Sequence, residues 1–229
     1  MRTLVVENDA VCPLGELTSG LYAAGPVDVW QPIRGETSPS PGEYDAVVAL
    51  GGGQSPADDA GNPWLARERA LLGEAIAGGR AVLGLCLGAE LLAQVLGASV
   101  RALPRPDVGW RRLQTTAAAA GDALFARLQG ARVLQWHSYA FSLPQGATLL
   151  AGGDDRADAF RHGPRAWALQ FHGEVNESIV ADWISHYSRE LPGMGVQTAR
   201  LRRDTARYAD AQARTAAVIA DGFLRAGGR

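Results

Sequence analysis

Along the first part of the chain, short uninterrupted apolar runs alternate with stretches whose apolar positions recur every three or four residues. "TLVVE" (3–7) precedes a helix-like stretch over 14–24, and "VDVW" follows. "DAVVAL" (45–50) runs into "GGGQSP", and a helical pattern through Leu65, Leu71, Leu72 and Ile76 leads to "AVLGLC" (81–86). Fully apolar strands separated by helices predict a parallel sheet covered on both faces.

The middle of the chain changes character. "VGWRRLQTT", "ARVLQWH", "ATLLAGG" and "ADAFRHG" read as short strands joined by turns, and "RAWALQFH" as a last apolar strand returning to the main sheet. Helical patterns occupy 177–190 and 200–224, broken by "LPGMG". The predicted class is therefore α/β: an open, mostly parallel sheet with helices on both faces and a small antiparallel extension. Residues 1–190 form the main unit, and 191–229 a C-terminal helical extension packed on it.

Composition narrows the function classes. A formal net charge of −2, with both signs mixed along the chain, gives no basic stripe for nucleic acid. No stretch is apolar enough to span a bilayer, and "MRTLVVENDA" reads as a first strand, not a signal peptide. Two cysteines, Cys12 and Cys86, are too few for a disulfide framework, so a reducing cytoplasm is expected. All 22 basic residues are arginine. A phosphate-loop lysine, a pyridoxal Schiff base and a lysine nucleophile are excluded. No cofactor or metal is expected.

Reactive groups in an open parallel sheet collect at the carboxyl ends of strands. Three such ends stand out. Cys86 closes "AVLGLC", and "LGAELLAQVL" begins a helix directly after it. A nucleophile on that turn is held exposed, and the following amides and helix N-terminus favour a thiolate. In "ALQFHGEV", His172 and Glu174 are two apart and share a face of an extended chain. A base and the carboxylate that orients it need that relation. The glycines of "VVALGGGQSP" open backbone amides to a ligand, as a developing oxyanion requires. His137, which ends an apolar strand, is a candidate pocket residue. His162 and His186 read as surface residues, and Cys12 as packed.

These residues resemble the class I glutamine amidotransferases, and most closely their free-standing GMP-synthase-like branch. The resemblance is carried by "LGGGQS", "GLCLGAELLAQVLGA", "DVGWRRLQ", "VLQWHSYAFSLP", "AFRHGPRAWALQFHGEV" and "RRDTARYA". It implies a flavodoxin-like fold, a triad of Cys86, His172 and Glu174, and an oxyanion hole from the amides of Gly52 and Leu87. The implied reaction is hydrolysis of glutamine or another γ-glutamyl amide through a thioester. In this family the ammonia often passes to a synthase, and no stretch here reads as one, so any ammonia acceptor is expected on a separate chain.

Departures from the family pattern bear on the substrate. Glu90 replaces the usual glutamine four residues after the cysteine, a spacing that places it beside the nucleophile on a helix. A carboxylate there would repel an α-carboxylate, which points to a modified γ-glutamyl compound. Alternatively Glu90 is protonated or paired to an arginine, and the substitution is neutral. Gly173 and Gly53 stand where proline is common. Ser138 and Tyr139 replace a glycine and an aspartate that border the substrate in relatives.

Two functional readings follow. One is a stand-alone γ-glutamyl hydrolase or peptidase acting on a small-molecule conjugate. The other is a glutaminase subunit feeding ammonia to a synthase. A homo-oligomer is compatible with both. A non-catalytic binding module, or a cysteine tuned by Glu7 without a triad, is less consistent with His172 and Glu174.

Overall fold

The computed structural model describes residues 1–153 and 156–228. Nine strands form one sheet in the order β2-β1-β3-β4-β9-β8-β6-β5, with β7 paired to β8. The parallel part comprises β1 (Thr3–Val6), β2 (Val27–Trp30), β3 (Ala46–Ala49), β4 (Ala81–Leu85) and β9 (Ala166–Leu169). The antiparallel part adds β5 (Val100–Arg112), β6 (Arg132–Phe141), β7 (Ala147–Gly153) and β8 (Arg156–His162).

Every residue of β1, β3, β4 and β9 is buried, as uninterrupted apolar runs require. Alternate side chains serve opposite faces. Val5, Val48, Leu83 and Leu85 pack with Leu17, Leu21, Ile219 and Phe223, under α1 (Thr18–Ala24) and α5 (Thr198–Gly227). Leu4, Val6, Val47 and Val82 pack with Leu65, Leu72, Leu91 and Leu92, under α2 (Trp64–Ala77) and α3 (Leu87–Val95). A third apolar cluster, around Trp110, Leu134, Val175, Trp183 and Leu201, joins the antiparallel arm to α4 (Glu177–His186) and α5.

The last helix is longer than its pattern predicts, and α4 ends earlier, at His186 instead of 190. The larger difference lies in β5, which begins eight residues before the predicted "VGWRRLQTT". Its first half, "VRALPRP", has neither an apolar run nor free amides at Pro104 and Pro106. β5 is an edge strand, where a missing donor is tolerated, and its register with β6 shifts between Ala102 and Asp107. No helix among the described residues is long and apolar enough to cross a membrane.

Candidate active site

The carboxyl ends of β1, β3, β4 and β9 lie along one rim of the sheet. Cys86, the residue after β4, has φ 49° and ψ −109°. It is the only non-glycine residue with positive φ among those described. Such a backbone costs a β-carbon-bearing residue on the order of 1–3 kcal/mol. The turn is held by the Cys86 amide, which donates to Leu169 O (2.9 Å), and by the Gly88 amide, which donates to Leu50 O (3.2 Å). Helix and sheet approach closely: a β-carbon at residue 88 would lie 2.3 Å from Ala49 O, and one at residue 84 would lie 2.6 Å from Gly88 O. The glycines flanking Cys86 therefore permit the helix to start where it does.

The ring of His172 comes from the segment after β9. Its Nδ1 bonds Glu174 Oε1 at 2.6 Å, and its Nε2 lies 3.3 Å from Trp136 O. The Cys86 thiol contacts the same carbonyl at 3.7 Å. Gly51 lies between the two side chains: a β-carbon built there would be 3.3 Å from His172 Cε1 and 3.6 Å from Cys86 Cβ. The His-Glu turn is pinned from three sides. Glu16 donates its amide to Glu174 O (2.7 Å), and Gln212 Nε2 of α5 donates to His172 O (3.2 Å). Asn176 caps α4 through Ile179 N (3.0 Å) and bonds Glu16 Oε1 (3.0 Å).

Cys86, His172, Gly52, Cys12, Trp136, Trp183 and Tyr187 line a cavity of about 30 Å³ over the thiol. That is room for about one water. Burial pushes the Cys86 thiol well above its ordinary range; Glu90, Cys12 and Glu174 act in the same direction, while a bond from the Leu87 amide opposes them. The Gly52 amide makes no backbone hydrogen bond among the described residues.

Of the other residues singled out in the sequence, Cys12 lines this cavity and the rest do not. Glu90 is 3% exposed and accepts from Gln170 Nε2 (2.9 Å); among the described residues it forms no ion pair with an arginine. Burial raises its pKa to about 7, against the Gln170 bond and the pull of His172. His137 is buried between Tyr139 O (2.6 Å) and Gln135 Oε1 (3.1 Å). Burial lowers its pKa to about 4. Ser138 is exposed, whereas Tyr139 donates to Ser55 Oγ (2.8 Å) and ties β6 to the glycine loop. Gly53 lies beneath Tyr187: a β-carbon there would be 2.9 Å from the phenol oxygen. Glu7 accepts from Gln31 Nε2 (2.6 Å). Cys12 is buried, and it also borders the cavity.

The aromatic wall was not anticipated from sequence. Trp183 packs on His172 at 4.6 Å and on Trp136 at 5.2 Å between centroids. Its indole N–H donates to Val11 O. Trp183 and Tyr187 are four apart on one helical face, which is a readable spacing.

Residues 23–181 match the family "Glutamine amidotransferase class-I". The chain belongs to the class I glutamine amidotransferases. It is an amidohydrolase-type enzyme, with hydrolysis of the glutamine amide as the family's general chemistry. A glutamine amidotransferase from Thermotoga maritima is 27% identical, with a TM-score of 0.88 over 100% of this chain and 99% of its own. One from Methylobacillus flagellatus is 25% identical, with a TM-score of 0.89 over 98% and 94%. The glutamine amidotransferase-like protein YfeJ of Salmonella typhimurium is 29% identical over 158 residues, 67% of this chain and 66% of its own length. The family match stops before α5, yet that helix holds the backbone of His172.

Proposed function

We propose that Cys86, His172 and Glu174 form a nucleophilic triad that hydrolyses a γ-glutamyl amide. His172 takes the thiol proton, and the thiolate sulfur attacks the γ-carbonyl carbon. The oxyanion is stabilised by the amides of Gly52 and Leu87. His172 returns its proton to the departing nitrogen as the C–N bond breaks, leaving a γ-glutamyl thioester. A water deprotonated by His172 then attacks the thioester, releasing glutamate and the free thiol. Glu174 holds the ring and stabilises its charged form. The carrying observation is the 2.6 Å bond from His172 to Glu174 beside a cavity shared with Cys86.

The substrate proposed is a small γ-glutamyl conjugate, handled without a partner in a reducing cytoplasm that keeps both thiols free. Trp136, Trp183 and Tyr187 form an aromatic wall beside Cys86, and apolar rings suit an organic leaving amine better than ammonia. Glu90 in its ionised form disfavours a second carboxylate nearby. A different observation favours the glutaminase-subunit reading. The thiol is held protonated beneath a cavity too small for a γ-glutamyl group, as in a resting site that a synthase opens.

A mass-spectrometric screen of glutamine and γ-glutamyl amides, with Cys86→Ser as control, tests both. Consumption of a conjugate in preference to glutamine supports the hydrolase. Glutamine turnover that appears only with a synthase present supports the subunit. Turnover that survives Cys86→Ser removes the triad.

A further inference from the structure

Behind the glycine loop lies a buried carboxyl that the mechanism above does not use. Glu68 sits on the buried face of α2 with Leu65, Leu71 and Leu72, and is 0% exposed. A leucine there would continue the apolar stripe, so core packing alone does not explain a carboxyl. Its Oε1 accepts from Asn8 Nδ2 (3.1 Å), and Asn8 is itself 0% exposed.

Asn8 spans the glycine loop. Its Nδ2 also reaches Leu50 O (3.4 Å), and its backbone O accepts from Gln54 Nε2 (3.4 Å). Gly51, Gly52 and Gly53 lie between these two attachments, without side chains to hold them. A β-carbon at Gly52 would be 3.1 Å from Asn8 Cβ, so Asn8 lies against the middle glycine. Leu50 O is also the acceptor for the Gly88 amide, in the first turn after the nucleophile. One run of contacts thus links Glu68, Asn8, the glycine loop and the start of α3.

We propose that Glu68 is a positioning residue which, through Asn8, fixes the glycine loop against the nucleophile helix. The effect on rate rests on the reading of Gly52 as an oxyanion donor. Burial raises the Glu68 carboxyl to about 8, opposed by the Asn8 bond and Arg69. Arg69, its neighbour on α2, is turned to Asp59 and Pro56 O. Asp9 follows Asn8 and bonds the Val11 amide, and Glu90 of α3 bonds Gln170. Ionisation strengthens the Glu68 acceptor toward Asn8 while leaving a charge buried with little other compensation, so the surroundings of the glycine loop are expected to change around pH 8.

The test uses the full chain and two readouts. In nuclear magnetic resonance spectra, the amide shifts of Gly51, Gly52 and Gly53 in the wild type are expected to titrate with a midpoint near 8, and in Glu68→Gln not to. Shifts that stay flat, or titrate alike in both proteins, overturn the proposal. With a γ-glutamyl amide substrate, Glu68→Leu is expected to lose kcat by ~100-fold at nearly constant KM, and Glu68→Gln to recover most of it. Equal kcat in Glu68→Leu and wild type also overturns it. If the wild type turns over no γ-glutamyl amide either alone or with a synthase, the triad reading falls while the glycine shifts still judge Glu68.

Discussion

Cys86 and His172 share an acceptor: the thiol and the Nε2 nitrogen both point at the carbonyl of Trp136, at 3.7 and 3.3 Å. With the proton on sulfur, that carbonyl accepts from the thiol. With the proton on the ring, it accepts from Nε2. In the proposed mechanism one fixed backbone oxygen serves both sides of the proton transfer, while Glu174 holds Nδ1 throughout. Replacing His172 with alanine is expected to lower kcat/KM by orders of magnitude and to slow alkylation of Cys86 at neutral pH. Unchanged alkylation would mean that the ring does not assist loss of the thiol proton.

The backbone at Cys86 makes a separate expectation about stability. Its φ of 49° with ψ of −109° suits glycine and strains any other residue. Cys86→Gly is expected to be inactive, yet more stable than Cys86→Ala by about 1 kcal/mol or more. Thermal or urea unfolding of the two variants checks this. Equal stability would place the strain elsewhere.

The glycine at position 173 answers to the last helix. A β-carbon there would lie 2.4 Å from Ile219 Cδ1. Gly173→Ala is expected to displace the His-Glu turn and lower kcat. Ile219→Val removes the clashing methyl and is expected to restore much of the loss in the double variant. Their coupling in a double-mutant cycle is expected to be on the order of 1 kcal/mol. Simple additivity would show that α5 does not set the position of the turn.

What could be read from sequence was local. The apolar runs of β1, β3 and β4, the glycines around Cys86 and the two-residue spacing of His172 and Glu174 each carry their own geometry. What could not be read depends on distant elements meeting. Glu68 looks like an ordinary helix carboxyl until α2 lies under Asn8. Gly173 looks like a loosened turn until Ile219 fills the space beside it. Glu90 shows the limit most directly: the helical spacing placed it near the nucleophile, but Gln170, eighty residues away, decides where its carboxyl points.

Glu90 also yields the sharpest pH expectation. In the folded protein its pKa is about 7, against an ordinary value of 4.5. The folded state therefore keeps a proton that the unfolded state releases, so this group lowers stability as pH rises from about 4.5 through 7. Glu90→Gln keeps an acceptor for Gln170 and cannot ionise. It is expected to be more stable than wild type by about 3 kcal/mol at pH 8, with the gain fading toward pH 4.5. Chemistry should follow the same curve. Above pH 7 the carboxylate raises the Cys86 thiol and repels a second carboxylate, and both effects vanish in the variant. Hydrolysis of free glutamine is thus expected to rise in Glu90→Gln at pH 8 and to match wild type near pH 6. Unfolding curves and glutaminase rates measured at both pH values decide the matter. A stability gain without a rise in glutamine turnover would leave Glu90 a buried acid with no part in substrate choice.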